Sequence, residues 1–384
     1  MLKDKAAIVG IGATPFAKQL IPTETELACD AILAALDDAG LVPGDVDGLV
    51  SYTMESTPEQ ELAKNIGMSN IQWFAQVGHG GGGGPSAIGQ LAMAIASGQC
   101  RVGVAWRSRK RGSGKRLWSD QAASAQLATA ANWARPWGVI RPVDEIALLA
   151  SRYMHEYGAT RDHLANVALA CRRHANNNPA AMMYERELSR EHYMSSRWVS
   201  RPLCLFDNCL ESDGAVALVM VAADRADDCR GAPVYLHAFA QGIGSQTHSM
   251  VNYFSANPLI GDAAPCAKAL YERSDFQAGD IDVAQFYDSF TPLVLSALES
   301  YGFCGRGEGA AFTERNNLEL GGCLPINTSG GGLSEGYIHG FNLVSEGVRQ
   351  MRGTSCNQVV GAQSCLVTGG SSVPTSALIL RRRV

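Results

Sequence analysis

Two glycine-rich segments and one basic run hold the residues whose types and spacing suit chemistry. In the first, His79 precedes Gly80, Gly81, Gly82, Gly83 and Gly84, and an apolar helical pattern follows to Gly98. Glycines before a helix let the backbone approach a ligand closely and leave N–H groups at its positive end. The second segment, NTSGGGLSEGYIHGFNLVSEGVRQMRG at 327–353, repeats that layout. The basic run RSRKRGSGKR places Arg107, Arg109, Lys110, Arg111, Lys115 and Arg116 around two glycines. Guanidinium groups match phosphate oxygens in bidentate fashion, although a charge run also reads as a solvated loop or a contact with a partner. The eleven cysteines are scattered, with no CxxC and no His/Cys cluster at zinc-ligand spacing. Their odd number fits reduced, mostly buried thiols, so neither a disulfide framework nor a metal site is expected.

The elements that must position these residues belong to a 384-residue chain, long enough for two domains or one large α/β unit. An apolar share of 46% against 18% charged residues excludes general disorder. With 32 Lys plus Arg against 37 Asp plus Glu, no global basic field exists to hold nucleic acid, so any anion site is local. The opening MLKDKAAIVGIGATPF is too short an apolar run for a signal peptide or a membrane span, and a cytoplasmic protein is expected.

Residues 6–11 fit a buried strand, and 25–39 a helix with Glu24 and Glu26 near its start and Gly40 as its stop. A turn and strand follow in LVPGDVDGLVSYT, and the pattern returns as a helical stretch at 263–273 followed by FQAGDIDVAQFYDSF. Gly44-Asp45-Val46-Asp47 aligns with Gly279-Asp280-Ile281-Asp282 at an offset of 235 residues. Two copies of one α/β module are implied, residues 1–230 and 231–384. The stretch from about 107 to 200, rich in Arg, Trp and Asn, lacks a counterpart and reads as an inserted loop domain. The end reads as a loop followed by a strand at 376–380.

Four segments in order, SDGAVALVMV (212–221), FYDSFTPLVLSALESYGFCGRGEG (286–309), INTSGGGLSEGYIHG (326–340) and the terminal glycine-containing strand, resemble the thiolase superfamily. Within it the chain is similar to the sterol-carrier-protein thiolase and lipid-transfer-protein branch. The resemblance implies two pseudo-symmetric βαβαβαββ halves in an αβαβα layering, and a homodimer. The departures are informative. Gly81 stands closest to the thiolase nucleophilic cysteine; Tyr287, in Tyr287-Asp288-Ser289-Phe290, replaces the oxyanion-hole histidine; Tyr337, in Gly336-Tyr337-Ile338, replaces the activating histidine. The late thiolase cysteine falls near Cys365 or Thr368, and neither receives a role.

A thiolase scaffold without these groups cannot do Claisen chemistry through a covalent cysteine. The pattern resembles the aldolases of bacterial steroid side-chain degradation, which split a β-hydroxyacyl-CoA into a ketone and a short acyl-CoA, such as propionyl-CoA or acetyl-CoA. Those proteins work with a small OB-fold and zinc-ribbon acyl-CoA-binding partner and need no cofactor beyond the CoA of the substrate. The resemblance makes Tyr287 and Tyr337 the acid–base pair, since a phenol donates a proton or, with a lowered pKa, accepts one. The alternative is that both merely fill space. Asp288 and His339 are candidates for a base or for orienting a tyrosine, although an Asp after a strand also caps a turn. His79 and the backbone N–H groups of Gly80, Gly81 and Gly82 are candidates for holding the thioester oxygen. Arg109, Arg111, Lys115 and Arg116 are candidates for the CoA phosphates, and Trp106, Trp118, Trp133 and Trp137 for a flat steroid site or plain packing. The rival functions are a non-catalytic acyl-CoA or lipid carrier, and a true thiolase, which Gly81 disfavours.

Overall fold

The computed structural model describes residues 2–52, 55–114, 134–244, 250 and 261–382. The first apolar run is strand β1 (Ala6–Ala13). Helix α1 (Glu24–Ala39) opens on a capping box in which Thr23 and Glu26 satisfy each other's backbone N–H, and closes on Gly40 at φ 72°. Then come β2 (Gly48–Tyr52), α2 (Glu59–Ile66), β3 (Trp73–Val77), α3 (Gly84–Ala96) and β4 (Val102–Lys110). The region beyond β4 contributes α4 (Pro142–Tyr157), α5 (Arg161–Asn176) and a small ribbon of β5 (Trp198–Ser200) with β6 (Leu203–Cys204). Strand β7 (Asp213–Ala222) returns to the sheet. The second half holds β8 (Val234–Gly242), α6 (Ala263–Glu272), β9 (Val283–Gln285), α7 (Thr291–Ser300), α8 (Phe341–Arg352), β10 (Ser364–Thr368) and β11 (Thr375–Arg381).

Hydrogen bonding runs through nine strands in the order β3-β2-β4-β7-β1-β8-β11-β10-β9. The halves meet where β1 pairs with β8 through only Ala7 with Tyr235 and Ile8 with Val234. Two half-sheets are thus hinged at one short ladder.

Strand alternation builds the layers, because successive side chains point to opposite faces. On β7, Ala215, Ala217, Val219 and Val221 pack with Ala31, Ile32 and Ala35 of α1. Val216, Leu218 and Met220 face the other way, toward Ile88 and Leu91 of α3 and Val344 and Val348 of α8. Leu378 and Leu380 of β11 join that same central cluster, while Ala377 and Ile379 pack with α6, α7 and the inserted helices. The result is the expected αβαβα stack, with α3 and α8 buried between the half-sheets. Both strand faces being covered explains the near-continuous apolar runs in the sequence.

The repeat holds at atomic detail. Asp45 accepts the Val42 N–H at 2.9 Å and Asp280 the Gln277 N–H at 2.8 Å. Asp47 accepts from the N–H groups of Arg101 and Val102 at the start of β4, as Asp282 does from Gln363 and Ser364 at the start of β10. One correction concerns the insertion: residues 107–110 are not loop. They complete β4, with Arg107 opposite Val216 and Lys110 opposite Asp213. Among the described residues no helix is long and apolar enough to cross a membrane.

Candidate active site

Tyr287 follows β9 and is pinned at its backbone. Its N–H donates to Thr368 Oγ1 at 3.2 Å, and the N–H of Phe286 donates to Asn327 Oδ1 at 2.7 Å. Its ring, 5% exposed, enters the central layer against the first glycine segment. A Cβ placed on Gly81 would stand 2.5 Å from the Tyr287 hydroxyl and 2.6 Å from its Cζ. The direction in which a nucleophilic side chain would project from residue 81 is therefore filled by the phenol. Of the two candidates for the late cysteine, Thr368 touches this site, whereas Cys365 lies fully buried in the central cluster.

Tyr337 comes from the second glycine segment, with its N–H held by Ser212 Oγ at 2.7 Å. The hydroxyls of Tyr337 and Tyr287 are hydrogen-bonded to each other, with ring centroids 5.9 Å apart. Burial raises both phenols above their ordinary value; at Tyr337 the nearby Arg111 opposes that rise. The Arg111 guanidinium carbon lies 5.2 Å from the Tyr337 ring centroid.

Asp288 is a turn cap. Its carboxylate accepts the Gly332 N–H at 2.7 Å and the Leu333 N–H at 3.2 Å, so the structure gives it to the glycine turn that precedes Tyr337. Burial pushes its pKa up to about 6 against these N–H groups. The unfolded value lies near 3.9, so between about pH 4 and pH 6 the folded chain holds this proton more tightly and loses stability as pH rises. Asp288→Asn cannot titrate. Between pH 4 and pH 7 the stability of the wild type relative to this variant is expected to fall by about 2 kcal/mol in urea melts. A pH-independent difference would contradict the assignment.

Period-two alternation along β4 sorts the basic run. Arg107 and Arg109 share the inward face of Ala105, while Ser108 and Lys110 point outward, where Ser108 Oγ donates to the Glu24 carbonyl and Lys110 Nζ to the Leu20 carbonyl. Arg107 is fully buried and ion-paired with Glu55, and it bonds Nδ1 of His339. These are not solvated phosphate ligands. Arg109 is half-buried on the strand, Arg111 stands at the tyrosine pair, and Lys115 and Arg116 lie outside the described residues. Arg107 reads from sequence as part of a basic loop, and nothing in the sequence singles out Glu55; the R-x-R-x-R spacing at 107–111 was the available signal for a strand.

His79 is exposed, on left-handed backbone at φ 74°, and is not part of the cluster. Gly80, Gly81 and Gly82 form a tight turn in which the N–H groups of Gly82 and Gly83 are spent on the carbonyls of His79 and Gly80. The expectation of a whole row of free amides is thereby reduced. Trp106 packs into the outer cluster with α1, Trp137 is exposed, and Trp118 and Trp133 lie outside the described residues. A cleft of about 470 Å³ opens between the core and the inserted helices. Arg111, Arg141, Arg172 and Arg197 line it together with Met182, Val199, Phe206, Phe290 and Leu333. It joins cationic groups to an apolar wall, and its Arg111 is the residue that stands over the Tyr337 ring.

The family description "Thiolase, N-terminal domain" matches residues 6–192, and "Thiolase C-terminal domain-like" matches residues 244–382. A steroid side-chain-cleaving aldolase of Thermomonospora curvata is 45% identical, over 99% of this chain and 98% of its own. The 17-hydroxy-3-oxo-4-pregnene-20-carboxyl-CoA lyase of Mycobacterium tuberculosis is 42% identical, over 99% of this chain and all of its own. The solved structure named Ltp2-ChsH2(DUF35) aldolase superposes with a TM-score of 0.94 at 45% identity, covering 99% of this chain and 98% of that one. Human mitochondrial 3-ketoacyl-CoA thiolase, 14% identical with a TM-score of 0.73, shares the fold. With both halves matched and full-length relatives of this similarity, the chain belongs to the thiolase superfamily, in the branch of the steroid side-chain-cleaving aldolases.

Proposed function

We propose that the chain is a carbon–carbon lyase that cleaves a steroid side-chain β-hydroxyacyl-CoA by a retro-aldol reaction, with Tyr287 and Tyr337 as its acid–base pair. The observation that carries this reading is the exchange at the centre: residue 81 has no side chain, and a phenol paired with a second phenol fills its place. A compound named 17-hydroxy-3-oxo-4-pregnene-20-carboxyl-CoA has its hydroxyl on C17 and its thioester on C20, so C17–C20 is the aldol bond. A base takes the hydroxyl proton and a C17 carbonyl forms. The C17–C20 electrons move into the thioester as an enolate, and an acid returns a proton to C20. A 17-ketone and propionyl-CoA result.

Arg111 over the Tyr337 ring favours negative charge on Tyr337 rather than on Tyr287. Tyr337 therefore takes the hydroxyl proton as its own passes along the hydrogen bond to Tyr287, and Tyr287 gives its proton to C20, so both phenols end neutral. Nothing in this sequence of proton transfers calls for a group beyond the substrate's own CoA. The cleft that Arg111 lines suits a molecule that is apolar at one end and anionic at the other. The working form is a cytoplasmic homodimer that binds a small OB-fold and zinc-ribbon protein on each side.

The test incubates the chain, alone and with that partner, with 17-hydroxy-3-oxo-4-pregnene-20-carboxyl-CoA. The expected result is 17-ketone and propionyl-CoA in equal amounts, unmodified intact mass, and both faster turnover and a larger sedimenting species with the partner present. A stoichiometric acyl adduct on a cysteine restores the thiolase reading. Absence of ketone with the partner present overturns the lyase.

A further inference from the structure

Retro-aldol cleavage places negative charge on the thioester oxygen, and a donor aimed there is worth about 10²–10³ in rate. The family's oxyanion histidine is Tyr287 here, and two amides of the glycine turn are spent inside it. We propose that His339 donates its Nε2–H to the thioester oxygen, with Arg107 as the positioning residue that fixes the tautomer carrying that proton. The inference rests on the retro-aldol reading.

The geometry leaves one tautomer. His339 Nδ1 lies 3.2 Å from Arg107 Nε and 3.1 Å from Arg107 Nη2. A guanidinium has donors only, so Nδ1 holds its lone pair and the single proton of the neutral ring sits on Nε2. Burial, with Arg107, Arg111 and Arg109 close by, keeps the imidazole pKa well below its ordinary value, so the ring stays neutral. Arg107 is itself fixed: Nη1 meets Glu55 Oε2 at 3.3 Å, and that oxygen also accepts the Ser108 N–H at 2.8 Å.

The imidazole is clamped beside the reacting pair. It stacks on Tyr52 at 5.4 Å and meets the Tyr337 ring edge-on at 5.1 Å. Its backbone adopts φ 49°, in the left-handed region. A packing histidine needs neither a chosen tautomer nor a buried arginine to impose it.

The test separates the two ring nitrogens. A glutamine amide nitrogen reaches roughly where Nε2 stands, and an asparagine amide nitrogen where Nδ1 stands. With the same steroid thioester, His339→Gln is expected to keep kcat within about tenfold of wild type, whereas His339→Asn loses about 10²-fold or more with little change in KM. In ¹⁵N-histidine-labelled wild type, the His339 resonances should show a pyridine-type Nδ1 and a protonated Nε2. The Nε2–H should move downfield on adding 3-oxo-4-pregnene-20-carboxyl-CoA, which lacks the 17-hydroxyl and cannot be cleaved. Equal losses in the two variants, a protonated Nδ1, or an unmoved Nε2–H overturns the proposal. The spectra decide it even where a variant fails to fold. A wild type that does not cleave the hydroxylated thioester counts against the retro-aldol reading instead.

Discussion

Tyr287→Phe and Tyr337→Phe are each expected to lower turnover by about 10²-fold or more, because each change removes one oxygen from the pair that moves protons. The ring and its packing remain. What disappears is the hydroxyl–hydroxyl hydrogen bond, which leaves the surviving phenol a buried polar group short of a partner at a cost of about 1–3 kcal/mol. The chain should therefore still fold, with a modestly lower melting temperature. The double variant should lose little more activity than either single one, since the two groups act as a unit. Steady-state formation of the 17-ketone measures this, with circular dichroism as the check on folding. If both variants turn over at wild-type rates, the phenols are packing and the proposed mechanism fails.

The second large effect is predicted at Gly81. Gly81→Cys restores the atom type a thiolase uses, yet the new Cβ would meet the Tyr287 hydroxyl and ring at 2.5–2.7 Å. That phenol is tied at both ends, because Thr368 anchors its backbone and its hydroxyl is hydrogen-bonded to Tyr337. Overpacking of this kind costs about 1–3 kcal/mol, and displacement of Tyr287 should abolish cleavage. Adding Tyr287→His, a smaller ring, should recover most of the lost stability without recovering cleavage. Urea melts of the two single variants and the double variant give the coupling between positions 81 and 287 directly. Additive effects would show that the glycine is not there to make room for the phenol.

Position 81 and position 287 also show what the sequence makes legible. The repeat was visible because Asp47 and Asp282 cap their neighbouring strands in the same local way, and local devices leave local motifs. The layers were visible because strands covered on both faces are apolar throughout. The tyrosine pair was reached through resemblance, since nothing in FYDSF or GYIHG says that the two phenols meet. Arg107 was misplaced for a related reason. Its burial depends on Glu55, 52 residues before it, and on His339, 232 residues after it, and no window of sequence holds all three. Asp288 was read with its alternative left open, and the cap prevailed because Gly332 and Leu333 present two N–H groups within reach of its carboxylate.

The shared central layer has a consequence for how the chain is made. Helix α3 and the inner faces of β1, β4 and β7 leave the ribosome early, but α8, which covers much of them, lies at Phe341–Arg352. Until nearly nine-tenths of the chain has been synthesised, the first half carries an uncovered sheet of Val216, Leu218, Met220 and their neighbours. Nascent chains should lean on holding chaperones through that interval, and products truncated before residue 341 should aggregate rather than accumulate as a folded N-terminal half.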